Sequence, residues 1–161
     1  ATEVVESKEL SERAKKELAR RDSDLVSITA IQSAFQEAMN QGGWSTKEYD
    51  DVLIWTGRVS KNEVILHSKK GSMSAFDAKL RLIDDSRKMF KAAEYKELTS
   101  RFLSQFDKNA MKFVAEYDKY ISSVGQSAAL EDKTYELNGI VYVFSQETPN
   151  DNFRHIFVRK K

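Results

Sequence analysis

Two imidazoles, His67 and His155, are the only histidines in a 161-residue chain that contains no cysteine. Without thiols there are no disulfides, no thiolate metal sites and no cysteine nucleophile, and no H-E-x-x-H or comparable ligand spacing surrounds either histidine. A serine triad would need a nucleophile in a recognisable turn, yet neither G-x-S-x-G nor S-x-x-K occurs. The adjacent carboxylates Asp50-Asp51 and Asp84-Asp85 would point about 100° apart on a helix, which spoils shared acid-base work. Distant acids such as Asp107 and Glu116 stay available for it. None of the six glycines forms a phosphate-cradling G-x-x-x-x-G-K or G-x-G-x-x-G. No catalytic residue, metal site or cofactor is assigned, and an enzyme with dispersed carboxylates is the third reading.

Binding chemistry is better represented. Lys69 and Lys70 form one basic cluster, and Arg154, His155, Arg159, Lys160 and Lys161 form another at the C-terminal end. Basic side chains interleaved with aromatics such as Tyr142 and Phe153 on a sheet suit single-stranded nucleic acid, where cations meet phosphates and rings meet bases. Lysines at a sheet edge also discourage aggregation, so solvation explains the same residues. Trp44, Tyr49 and Trp55 lie close together beside Gly42-Gly43 and suit an aromatic anchor for a protein partner, with core packing as the plainer role. A terminal strand with a free tail can also exchange strands with a partner.

Composition bounds these options. Apolar residues make up 40% of the chain, enough for one core, so a single domain over 1–161 is expected. The 26 basic and 25 acidic residues leave a net charge of +1, so any attraction to nucleic acid or anionic lipid must come from a local patch. No apolar run approaches the roughly 20 residues that span a bilayer, which leads us to expect a soluble chain. Compartment and oligomeric state are left open.

The elements that would position these residues read as follows. Residues 7–21 suggest a charged helix with Leu10, Ala14 and Leu18 in a narrow stripe and six basic residues (Lys8, Arg13, Lys15, Lys16, Arg20, Arg21) against three acidic ones (Glu9, Glu12, Glu17). It reads as a basic helix that tracks phosphates or meets an acidic partner, or more plainly as a solvated helix with Glu12-Lys16 and Glu17-Arg21 as helical pairs. Leu25, Ile28, Ile31, Phe35 and Met39 predict a second helix ending at Gly42-Gly43, or the continuation of one kinked helix. In 45–57, Ser45 and Glu48 resemble a capping box and favour a short helix closed by Gly57. The alternative is a strand turning through Ser60-Lys61-Asn62 into a second strand at 63–67. From Ser74 the spacing of Phe76, Leu80, Ile83 and Phe90 predicts a helix that slips phase near Ala92. A second helix, 94–122, follows, with Tyr95, Leu98, Phe102, Phe106, Phe113, Tyr117 and Tyr120 on its face and Gly125 as a left-handed cap. After it the period becomes two, and Asn138-Gly139 supplies a type I′ turn between 134–137 and 140–144, with 153–159 as a third strand.

The expected fold is therefore α+β and predominantly helical, with four to five helices. Its small antiparallel sheet is a C-terminal three-stranded meander over about 134–159, which a strand near 63–67 can join at an edge. The function expected first is a cofactor-free interaction module that binds another macromolecule, protein foremost, as an adaptor, inhibitor or assembly factor. The second is an accessory nucleic-acid-binding factor using Lys69, Lys70, Arg154, Arg159 and the terminal lysines.

Overall fold

From Phe76 to Leu82 the chain reads apolar-polar in strict alternation, Phe-Asp-Ala-Lys-Leu-Arg-Leu. Period two is the signature of a half-buried strand. The computed structural model, which describes residues 11–39, 43–85 and 87–161, accordingly places a ten-residue strand at Ser74–Ile83. The expected helix there is overturned. Its apparent stripe joined residues from both faces of a strand: Leu80 lies in the main core, whereas Ile83, at an odd step from it, and Phe76, the extra residue where Asp77 and Ala75 pair with His67 and Ser68, stand outside it. Ala78, Leu80 and Leu82 are the buried row.

In chain order the described elements are α1 (Glu12–Arg21), β1 (Val26–Ser27), α2 (Ile28–Phe35), β2 (Trp44–Tyr49), β3 (Val52–Val59), β4 (Asn62–Lys69), β5 (Ser74–Ile83), α3 (Ala93–Leu103), α4 (Met111–Ser122), β6 (Lys133–Leu137), β7 (Ile140–Ser145) and β8 (Phe153–Lys160). All the strands join one antiparallel sheet in the order β2-β3-β4-β5-β8-β7-β6, with β1 paired to β5. Strand accounts for 36% of the described residues and helix for 32%, so the expectation of a predominantly helical fold with a small sheet is corrected. The four α-helices are short and the sheet has eight strands.

Two stretches account for the difference. Residues 45–57 form the β2–β3 hairpin instead of a helix, with Asp50 left-handed in the turn (φ 55°). Val52, Ile54 and Thr56 carry strand preference, and pairing Trp55 with Leu66 on β4 outweighs the local capping pattern. The strand near 63–67 is present as β4, but β5 separates it from the C-terminal meander. That meander forms as read: Asn138 (φ 52°) and Gly139 (φ 78°) turn β6 into β7, and β8 follows. Gly139 takes an angle open to few other residues.

The helices cover one face. Ile28, Ile31 and Phe35 of α2 are fully buried there with Val64, Leu66, Ala78, Leu80, Ile156 and Val158, each of these side chains larger than alanine contributing about 2 kcal/mol of burial. The expected 94–122 helix is instead broken into α3 and α4, where Asp107 accepts a hydrogen bond from the Asn109 amide (2.8 Å) and opens a 3-10 turn. Its aromatic face packs on the meander: Phe113 stacks on Tyr135 at 4.8 Å between ring centroids, and Tyr117 meets Phe144 at 5.2 Å. Gly125 is not left-handed, and α4 ends on Ser123.

Helix α1 lies on the opposite face. Its Arg20 reaches Asp77 of β5 (3.9 Å) and sits over the Phe157 ring of β8 (5.9 Å), while Phe76 and Val141 are buried apart from the main core. Residues 7–10 of the expected N-terminal helix, Leu10 among them, and Gly42 lie outside the described residues. Strand β1 separates α1 from α2, so they are not one kinked helix. Leu18 is half exposed, and Glu12 pairs with Lys15 (3.5 Å) rather than Lys16.

Candidate functional site

Eight residues of strand alternation decide which C-terminal side chains face where. On β8, Arg154, Ile156 and Val158 point toward the helices, whereas Phe153, His155, Phe157 and Arg159 point to the outer face. Arg154 is consequently interior, 4% exposed. It donates to Gln146 (3.0 Å) and Asp118 (2.9 Å) and lies over the rings of Phe90 and Tyr117. A cation so enclosed and so fully engaged is a brace between β8 and α4.

The remaining C-terminal cations meet α1. A groove of about 810 Å³ runs between that helix and the end of β8, lined by Arg13, Lys16, Ala19, Arg20, Ser23, Arg159, Lys160 and Lys161. Six of those eight residues are basic and none is acidic. Spacing explains the helix's share, since Arg13, Lys16 and Arg20 recur at steps of three and four and so share a face. Lys161 is bonded to Glu136 (3.0 Å) and Arg20 to Asp77. Among the described residues Arg13, Lys16, Arg159 and Lys160 have no ion pair, Arg159 donating only to the Lys160 carbonyl (3.2 Å).

Lys69 ends β4, Lys70 follows it in the turn to β5, and the two are individually neutralised. Lys69 donates to Asp22 (2.8 Å), whose carboxylate raises the ammonium's pKa, and Lys70 lies 3.5 Å from Glu48. His155 sits opposite Arg81 of β5 and Ser145 of β7. Burial first, then Lys79 and Arg81, lowers its pKa, and its Nε2 is buried without a hydrogen-bond partner. The other histidine, His67, is bonded to Asp77 through Nδ1 (2.6 Å). No cluster of three or more metal-ligating side chains occurs among the described residues.

Trp44 packs on the main core, its indole nitrogen buried, while Tyr49 at the far end of β2 is 69% exposed. The two therefore do not form one anchor. The sequence offers both walls of the groove separately, the C-terminal cluster and a basic helix over 7–21, but nothing in it brings them together. The step of three and four relating Arg13, Lys16 and Arg20 marks which face of that helix meets β8.

Fold and surface together define a class: an antiparallel sheet backed by three helices, with a fourth helix and a basic groove on its other side. No family model, curated protein or solved structure matches the chain. No helix among the described residues is long and apolar enough to cross a membrane, which says nothing of spanning by strands.

Proposed function

We propose that this chain is a cofactor-free binding module for another macromolecule, and that this macromolecule is nucleic acid gripped through its phosphates in the α1–β8 groove. The observation that carries the reading is the lining of that groove, six cations with no carboxylate among the described residues, in a chain whose net charge is only +1. Charge so segregated attracts a polyanion locally while the rest of the surface stays neutral. A protein partner is the second reading. It is favoured by the outer edge of β2, where residues 45–49 are all exposed and the backbone is open to strand addition on one side.

Salt dependence tests the first reading. Each phosphate neutralised on a single strand lowers the slope of log K against log salt by about 0.7, so the four unpaired cations predict a slope of about −3. Fluorescence anisotropy with a labelled oligouridine of roughly 12 nucleotides should show binding at low salt with that slope. Arg13→Glu combined with Lys16→Glu should weaken it at least tenfold. Absence of binding at low salt by the folded protein sinks the reading and leaves the β2 edge as the surface to pursue.

A further inference from the structure

The outer face of β8 carries Phe153, His155 and Phe157 at successive outward positions, spaced about 7 Å apart along the strand. Register then sets a residue of β5 directly across from each, about 5 Å away: Ile83 opposite Phe153, Arg81 opposite His155 and Lys79 opposite Phe157. The next outward residue, Arg159, lines the basic groove, and Arg20 of that groove reaches over Phe157. Arg81 likewise lies over Phe153, 4.9 Å from the ring centroid. Ring, cation and groove thus form one continuous surface.

We infer that this row is a base-stacking platform, so that the module selects single strands: phosphates lie in the α1–β8 groove and the next bases lie along Phe157, His155 and Phe153. The inference rests on the function proposed above and names the substrate form that follows from it. A planar aromatic or guanidinium surface accepts any base, and only an unpaired base can present its face. Charge argues for this occupant over a second copy of the chain. Of the carboxylates around this row, Glu63 and Asp77 are engaged by Arg81 (3.1 Å) and by His67 and Arg20, while Asp151, beside Glu147 at the Phe153 end, accepts from the Glu147 and Phe153 amides (3.2 Å each). Toward the groove Lys79 has no ion pair among the described residues and the face runs on into Arg159, so a second copy laid there would bring those cations together. Phe153 is 39% exposed, enough to meet a ligand without rearrangement of the core.

Stacking and phosphate contacts separate experimentally. Phe153→Leu and Phe157→Leu keep an apolar side chain but remove the ring, and Arg13→Glu/Lys16→Glu removes groove charge. Binding of three labelled probes is measured for each: oligouridine, a duplex of equal length, and inorganic polyphosphate, with circular dichroism confirming that every variant is folded. The leucine variants should each weaken oligouridine binding on the order of tenfold, leave polyphosphate affinity and the salt slope unchanged, and erase a preference for single strand over duplex. The groove variant should weaken all three probes. Unchanged oligouridine binding by both leucine variants, or equal binding of duplex and single strand by the unaltered protein, overturns the stacking inference while the groove reading stands. If the unaltered protein binds none of the probes, both fall. Concentration-dependent dimerisation abolished by Phe157→Leu assigns the face to a second copy instead.

Discussion

Arg154 and His155 are neighbours in sequence with opposite fates, because adjacent residues on a strand face opposite sides of the sheet. Arg154 enters the core and spends its guanidinium on Gln146 and Asp118. His155 faces outward among Lys79 and Arg81, and burial with those two cations disfavours its proton, against the attraction of Asp151 and Asp132. The folded chain therefore binds a proton at His155 less readily than the unfolded chain, so stability rises with pH across the interval between the lowered value and the ordinary 6.5. That stability is fully present above the ordinary value and is lost as pH falls through the lowered one. Melting temperatures followed from pH 7.5 downward should show a decline that His155→Gln reduces. A variant with the same pH profile as the unaltered protein would contradict the assignment.

At the scale of elements, Gly57 shows what strand pairing asked of the sequence. It was expected to close a helix, yet it lies within β3 opposite Trp44. A Cβ at this position would meet the Trp44 ring at 2.8 Å and the terminal methyl of Met39. The absent side chain lets the indole lie on the strand and cover that end of the core. Met39 can swing aside, but the ring is packed against core residues. Gly57→Ala should therefore lower stability by about 1–3 kcal/mol, read as an earlier urea midpoint with an unchanged slope. No shift in the midpoint would mean that the indole moves freely. By contrast, the Asn138-Gly139 turn was legible directly, because its left-handed angles are a local demand that few residue types meet.

Over the whole molecule, β5 and β8 join the N-terminal four-stranded run to the C-terminal meander at the middle of one sheet. Leu80 and Ile156 face each other across that junction, both fully buried. The sheet should consequently unfold as a unit. Trp44 and Trp55 emission reports on the N-terminal strands and far-ultraviolet circular dichroism on the whole backbone, and the two urea transitions should coincide. Leu80→Ala should move both together by about 2–5 kcal/mol. Separate transitions would show two cooperative units.

What the chain's order alone settled is local: the I′ hairpin, the apolar face of α2, the aromatic faces of α3 and α4, and the absence of thiol chemistry. Each follows from backbone angles or residue types that act over a few positions. Pairing decided the rest. Whether 45–57 and 74–83 become helix or strand depends on partners as far away as β8, because Phe76, Leu80 and Ile83 fit a helical period and Ala78, Leu80 and Leu82 a strand period until a neighbouring strand supplies hydrogen bonds. The groove likewise exists only once α1 crosses to the outer face and lays its Arg13, Lys16 and Arg20 against the C-terminal cations.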